Sequence, residues 1–218
     1  MLAERVDRVR RRMVEQGADV LLVSLGADLP YLTGYEAMPL ERLTMLVLPA
    51  AGDATLVVPR LEAPRVEERP EVFTLRPWDE TEDPVAIVAA LAGRPGVAAV
   101  GDRTWARFVL DLQGALPGTN WRRASAVTGP LRAVKGPDEV AALRRAAEAA
   151  DRVAAALQAG EIPLVGRTEA DVSAELGRRL VAEGHARVNF AIVGSGPNAA
   201  SPPHEPGGSV IEAGEVVL

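Results

Sequence analysis

Residues 19–25 read Asp-Val-Leu-Leu-Val-Ser-Leu, and this short apolar run is typical of a strand that is buried on both faces. Before it, apolar side chains recur at the spacing of a helix that Gly17 would end, at positions Leu2, Val6, Val9 and Met13. After it, residues 43–48 and 54–58 form two apolar runs around a Pro- and Gly-containing turn at 49–53. These two runs and the turn between them predict a β-hairpin.

Helices and strands continue to alternate after the hairpin. Asp83 and Pro84 are suited to the N-cap and first turn of a helix that Gly93 would stop. Residues 97–100 then form another short apolar run, and residues 105–112 have helical periodicity. Strands that alternate with helices predict an α/β layered domain.

A linker is predicted at residues 128–137, which contain two Gly/Pro pairs. An alanine-rich helix is expected from Pro137 to about residue 157. A second helix is expected to begin at the capping-box pattern Thr168–Asp171, with Asp in place of Glu, and to end by Gly184. The α/β domain would therefore occupy about the first 127 residues before the linker.

The last part of the chain has strand-like and loop-like segments. Residues 190–193 resemble a strand, residues 194–208 form a Gly/Pro/Ser-rich loop, and a strand is predicted from Ser209 onwards. Residues 216–218 are apolar and typical of the middle of a strand. We therefore expect the sequence to stop within an unfinished ladder.

The composition excludes several classes of protein. With 48% hydrophobic and 25% charged residues among 218, the chain is expected to fold rather than to be disordered. A net charge of −6 argues against a nucleic-acid partner. Because cysteine is absent, disulfides, thiolate nucleophiles and cysteine-ligated metals are excluded. No apolar run is long enough for a membrane span, and the N-terminus is charged, so a cytoplasmic protein without membrane contact is predicted.

One segment matches a dinucleotide-binding pattern. Residues 194–199 read Gly-Ser-Gly-Pro-Asn-Ala, which fits G-x-G-x-x-A, and Glu212 and Glu215 lie near the distance expected of a ribose-binding acid. That site requires a helix to begin inside the motif. The prolines within residues 201–206 disfavour such a helix, so nucleotide binding is not predicted.

The chain has only two histidines and no complete catalytic motif. His185 follows Gly184 at the end of a predicted helix and is expected to be exposed to solvent. His204 lies in the loop between two predicted strands, where both a functional and a merely solvated histidine are consistent with the sequence. Two histidines so far apart give little support for a histidine-ligated zinc site.

Five stretches together resemble a known family. They are Tyr31–Tyr35 (Tyr-Leu-Thr-Gly-Tyr), Leu131–Val140 (Leu-Arg-Ala-Val-Lys-Gly-Pro-Asp-Glu-Val), Gly166–Asp171, Phe190–Gly196 with Asn198, and Ala213–Leu218. In this order they resemble the pita-bread metallopeptidases, which include Xaa-Pro aminopeptidase, prolidase and creatinase. The resemblance extends over nearly the whole chain.

The resemblance implies a fold and an activity. The fold would be an α/β creatinase-like N-terminal domain, residues 1–135, followed by the first part of an α+β pita-bread catalytic domain, residues 136–218. The activity would be that of a metal-dependent peptidase, of aminopeptidase or dipeptidase type, which cleaves Xaa-Pro bonds in short proline-containing peptides. The family also implies a homodimer and two divalent metal ions, with manganese expected.

The family's metal ligands are two Asp, one His and two Glu, and the first Asp follows the strand that corresponds to residues 215–218. All five ligands are therefore expected beyond Leu218, and no metal ligand is assigned to residues 1–218. The 218-residue chain by itself is expected to be inactive.

The family also has a loop histidine that contacts the substrate or reaction intermediate. Without gaps, that position falls on Pro203, whereas His204 matches a second, less essential histidine. His204 is the one candidate catalytic residue. Two alternatives stay open: a truncated or degenerate member that acts as a dimerisation or peptide-binding module, and a creatinase-like amidinohydrolase, against which Pro203 counts.

Overall fold

The structure, a computed structural model, describes residues 1–201 and 203–218. Contacts between residues divide the chain into two compact units, Met1–Val134 and Lys135–Leu218. The division into a creatinase-like domain, residues 1–135, and an incomplete pita-bread domain, residues 136–218, stays a prediction. Across the described residues, none of the helices combines the length and the apolar character needed to cross a membrane.

The first unit, all of whose residues are described, is a mixed sheet with helices. Its strands are β1 (Val20–Val23), β2 (Met45–Pro49), β3 (Thr55–Pro59), β4 (Thr74–Trp78), β5 (Val97–Val100) and β6 (Asn120–Arg123). Its helices are α1 (Leu2–Gln16), α2 (Asp28–Thr33), α3 (Pro84–Ala92), α4 (Ala106–Ala115) and α5 (Ser125–Ala133), with a 3-10 turn at Ala63–Arg65. The strand order is β4-β3-β2-β1-β5-β6, so β1 lies in the middle, antiparallel to β2 and parallel to β5.

Consecutive side chains of β1 enter two different hydrophobic clusters. Leu21 and Val23 belong to a cluster that includes the buried residues of α1. Val20 and Leu22 belong to a second cluster, which includes buried residues of α3 and α4. Because successive side chains of a strand point to opposite faces, helices cover both faces of the sheet. The predicted doubly buried strand within residues 19–25 is confirmed.

Three local predictions in the first unit are also confirmed. Gly17 ends α1 in the left-handed conformation, with φ of 63°. Strands β2 and β3 pair as an antiparallel hairpin. The carboxylate of Asp83 accepts hydrogen bonds from the N–H groups of Val85 and Ala86, at 2.9 and 3.2 Å, and thereby caps α3.

Helix α5 occupies much of the segment predicted as a linker, residues 128–137. Pro130 lies inside the helix and has no N–H to donate to the preceding turn. However, Nη1 of Arg132 lies 2.7 Å from Oδ1 of Asp28, which anchors the helix to α2. This tertiary contact and the burial of one helix face outweigh the local helix-breaking tendency, so the predicted linker is wrong in extent.

The second unit contains α6 (Pro137–Gln158), α7 (Glu169–Ala182) and a 3-10 turn at Gly196–Ala200. Both predicted helices are confirmed. Oγ1 of Thr168 accepts a hydrogen bond from the N–H of Asp171 at 3.1 Å, which caps α7 as its sequence pattern predicts. The buried hydrophobic cluster of this unit is small and consists of Val172, Val193 and Ile211.

The structure has no regular strand at residues 190–193 or from Ser209 onwards, where strands are predicted, although isolated bridges form at Val210 and Val217. Residues 190–193 are not in a strand, whereas residues 216–218 pair with Gly194 and Gly196 through three backbone hydrogen bonds of 2.9–3.0 Å around the isolated bridge Ser195–Val217. A second isolated bridge joins Thr168 and Val210. The carbonyl groups of Gly207 and Ser209 accept hydrogen bonds from the start of α7. These carbonyl groups are therefore engaged by a helix rather than by a second strand.

Candidate functional site

A polar cluster lies where the first turn of α7 meets the loop formed by residues 194–201 and 203–209. The N–H of Glu169 donates to the carbonyl oxygen of Ser209 at 3.0 Å, and the N–H of Ala170 donates to that of Gly207 at 3.0 Å. The first turn of a helix leaves such N–H groups without partners inside the helix. The loop supplies these partners and is thereby closed onto the N-terminus of α7.

The carboxylate of Glu169 is the centre of the cluster and has no exposed surface (0%). Its Oε1 accepts hydrogen bonds from the N–H of Ser195 at 2.8 Å, Oγ of Ser195 at 3.2 Å and Nδ2 of Asn198 at 3.0 Å. Its Oε2 lies 2.7 Å from Nε2 of His204 and accepts a longer hydrogen bond from the N–H of Gly207, at 3.4 Å. These contacts compensate the carboxylate for its lost hydration.

Hydrogen bonding keeps Glu169 charged. The pKa of Glu169 is lowered from 4.5 to about 2, first by the hydrogen bond from Asn198, then by those from His204 and the N–H of Ser195, while burial acts in the opposite direction. The positive end of the α7 dipole also favours a negative charge in this first turn. Glu169 is therefore ionised at neutral pH and has only acceptor sites.

The structure places His204 against this carboxylate, with its side chain 20% exposed. Pro203, on which the family's histidine position aligns, is exposed. The loop therefore directs the ring of His204, and not its neighbour, towards the buried cluster. The catalytic role of His204 stays a prediction.

The expectation that His185 is solvent-exposed is wrong. Its side chain is half-buried, and its Nε2 is buried and has no hydrogen-bond partner among the described residues. The N–H of His185 donates to the carbonyl oxygen of Leu180 at 3.1 Å, because the chain turns back over the end of α7 after Gly184. His185 is not part of the Glu169 cluster.

The segment that matches the dinucleotide pattern does not form a dinucleotide site. Residues 196–200 form a 3-10 turn and not the α-helix whose N-terminus would receive a pyrophosphate. Oε2 of Glu215 accepts a hydrogen bond from the N–H of Glu212 at 3.0 Å, within a local turn. Asn198 and Ser195 of this segment instead bind the carboxylate of Glu169.

The described residues do not fit a metal site. Over residues 1–201 and 203–218, no group of three or more His, Cys, Asp or Glu side chains is arranged to hold a metal ion. Both oxygens of Glu169 already accept hydrogen bonds. No metal ligand is therefore assigned to these residues.

Family models match both units. The model of the creatinase/prolidase N-terminal domain matches residues 5–134, which is more than half of the chain, and the model of metallopeptidase family M24 matches residues 141–218. The chain belongs to the M24 metallopeptidase family. Its fold is a creatinase-type α/β domain followed by part of an M24 domain, as the sequence resemblance predicts. M24 metallopeptidases depend on metal ions.

Individual M24 relatives match nearly the whole chain. It is 40% identical over 220 residues to a probable dipeptidase PepE of Mycobacterium tuberculosis, covering 99% of this chain and 58% of the relative. The crystal structure of dipeptidase PepE from Mycobacterium ulcerans is 39% identical, with a TM-score of 0.89, covering 99% of this chain and 58% of that one. A prolidase structure from Thermococcus sibiricus is 29% identical, with a TM-score of 0.90, covering 100% and 60%. The chain thus spans about three-fifths of these relatives, corresponding to their N-terminal part.

Glu169 and Ser195 were not predicted as site residues by local patterns. Glu169 appears in the sequence as one residue of a helix-capping motif, and a glutamate in the first turn of a helix is usually exposed. Its partners Ser195, Asn198 and His204 lie 26 to 35 residues away. The family resemblance includes Gly166–Asp171 and Phe190–Gly196, and this was the signal that linked the two segments.

Proposed function

We propose that this chain carries the N-terminal part of a metal-dependent dipeptidase that hydrolyses Xaa-Pro peptides. The observation that carries the proposal is the match to a probable dipeptidase at 40% identity along 99% of the chain. A prolidase structure of nearly the same fold supports the same class of substrate. The substrates would be short peptides with proline after the scissile bond, and the active form would be a homodimer.

The histidine contact in the loop is consistent with this function. His204 is partly exposed, and its Nε2 is fixed by a buried carboxylate that belongs to a helix. Groups that bind or transform a substrate are most effective when neighbouring residues hold them in one orientation. We therefore propose His204 as the residue of this chain that contacts the peptide.

The metal requirement concerns the rest of the protein. The described residues do not supply a metal site, and the chain spans 58% of the length of its PepE relatives. We propose that the metal-dependent activity, with manganese as the expected ion, requires ligands beyond Leu218.

The proposal is tested with protein expressed from the complete reading frame, whose mass is checked first. Hydrolysis of Xaa-Pro dipeptides is measured with Mn²⁺, after chelation, and after Mn²⁺ is returned. Matched dipeptides with alanine in place of proline are the substrate control, and a version that stops at Leu218 is the protein control. We expect proline-dependent hydrolysis that chelation abolishes and Mn²⁺ restores, and none from the shortened version.

Three other results would contradict the proposal. Hydrolysis of creatine instead of dipeptides would favour the amidinohydrolase. Dimers that bind proline-containing peptides but turn none over would favour the non-catalytic binding module. Turnover by the version that stops at Leu218 would show that residues 1–218 provide the active site themselves.

A further inference from the structure

The charge of Glu169 determines where the proton of the His204 ring lies. An ionised carboxylate has no hydrogen to donate, so each of its close polar contacts must supply one. Nε2 of His204 is 2.7 Å from Oε2 of Glu169, which is the distance of a charge-assisted hydrogen bond. Nε2 must therefore carry the hydrogen of this contact.

A neutral imidazole has one N–H, so a ring that is protonated at Nε2 has an unprotonated Nδ1. We infer that Glu169 is a positioning residue that fixes His204 in the Nε2–H tautomer and leaves Nδ1 as the ring's acceptor atom. In the peptidase proposed above, Nδ1 would accept a hydrogen bond from an N–H group of the peptide. This part of the inference rests on the proposed function.

The arrangement of donors around Glu169 predicts how a Glu169→Gln substitution would change the tautomer of His204. Three donors converge on Oε1 of Glu169, from Ser195 and Asn198, whereas Oε2 has His204 and the more distant N–H of Gly207. In a Glu169→Gln variant, the side-chain NH₂ group would face fewer hydrogen-bond donors at the position of Oε2 than at the position of Oε1. His204 can then restore the contact by moving its proton to Nδ1, so that Nε2 accepts from the amide.

The tautomer is measured by long-range ¹H–¹⁵N NMR of the uniformly labelled 218-residue chain. Only two histidines contribute signals, and His185→Gln assigns them. Spectra are recorded at alkaline pH, so that both imidazole rings are neutral. For wild-type His204 we expect an Nε2–H signal that exchanges slowly with water and an unprotonated Nδ1. A neutral ring protonated at Nδ1, or an Nε2–H that exchanges as fast as in a free histidine, would overturn the inference.

The Glu169→Gln variant separates positioning from an intrinsic preference of the ring. We expect the protonated nitrogen of His204 to change from Nε2 to Nδ1. Glu175→Gln is the matched control, since Glu175 lies on the same helix but pairs with Arg167 and Arg179, and it should leave the His204 signals unchanged. A folded Glu169→Gln variant that keeps the wild-type tautomer would overturn the inference.

The wild-type spectrum decides the question if Glu169→Gln does not fold. Neither measurement requires catalytic turnover. Failure of the tautomer assignment is therefore distinguishable from failure of the proposed peptidase function, which the hydrolysis assays test separately.

Discussion

Nε2 of His204 lies 2.7 Å from Oε2 of Glu169, a side chain with no exposed surface. The two residues are 35 positions apart in the sequence, so the contact joins the loop to the first turn of α7. Side chains held by regular secondary structure keep a more constant geometry than side chains on a loop alone. The orientation of His204 thus depends on the helix as well as on the loop.

Acid is expected to loosen the loop through Glu169. The pKa of this residue is about 2 in the folded protein, below its ordinary value of 4.5. A carboxyl group whose pKa is lowered by folding stabilises the folded state above its ordinary pKa, and this contribution is lost as the pH falls from 4.5 towards 2. We expect amide-exchange protection of residues 194–209 to decrease over that interval in the wild type.

The Glu169→Gln variant provides the comparison, because it has no carboxyl group to titrate at this position. Its protection should be lower at neutral pH and should change less between pH 4.5 and 2. Amide exchange is the suitable probe, since all three tryptophans, at 78, 105 and 121, lie in the first unit. An identical pH dependence in the two proteins would show that Glu169 does not control the loop.

Removal of the Asn198 amide should raise the pKa of Glu169. The hydrogen bond from Nδ2 of Asn198 is the largest cause of the lowered pKa, so Asn198→Ala is expected to move it towards 4.5. Ser209→Ala is the control, because it removes the other contact of Nδ2 and leaves the Glu169 contacts in place. The ¹³C shift of the Glu169 carboxyl carbon, followed against pH, measures both. Equal pKa values in the two variants would refute this assignment.

The cap at Thr168 should support both the helix and the site. Thr168→Ala removes the acceptor of the Asp171 N–H and is expected to cost about 1 kcal/mol. Because Glu169 is the next residue, exchange protection of the Ser195 N–H should also fall. Thr168→Ser keeps the hydroxyl group and should retain most of the stability and most of the exchange protection of the Ser195 N–H. Loss of protection in the serine variant as large as in the alanine variant would argue against the cap.

The sequence predicts best those elements whose causes are local. Gly17 ends α1, Asp83 caps α3, and the apolar run within residues 19–25 is buried on both faces. Each follows from a few neighbouring residues. The edge strands β4 and β6 had no such pattern, because β4 contains Pro77 and β6 is mostly polar and exposed. Only pairing with a neighbouring strand defines them.

The candidate site was less predictable because it depends on contacts between distant segments. The capping-box pattern identifies Thr168 as a cap but gives no sign that Glu169 turns inwards. The buried position of that carboxylate requires donors from Ser195, Asn198 and His204 together, and no local pattern connects these residues. The sequence therefore predicts residues 194–208 only as a loop. The contacts of this loop with Glu169 are seen only in the folded structure.

The central strand should dominate the stability of the first unit. Leu21 in β1 is fully buried, so Leu21→Ala is expected to destabilise this unit by about 2–5 kcal/mol through lost apolar contacts and a cavity. Leu61→Ala, at a position that is 74% exposed, should change the stability by less than about 0.5 kcal/mol. Tryptophan fluorescence during urea unfolding measures both. Similar losses in both variants would contradict the assignment of the core.

The most direct test of the account is kcat/KM for an Xaa-Pro dipeptide, measured with Mn²⁺ on protein from the complete reading frame. We expect the wild type to hydrolyse the dipeptide, His204→Ala to lower kcat/KM by about 100-fold or more, and His185→Gln to leave it unchanged. Pro203→His should not restore activity to His204→Ala, since residue 203 is exposed. Absence of hydrolysis by the wild type, or equal kcat/KM for the wild type and His204→Ala, would contradict the account.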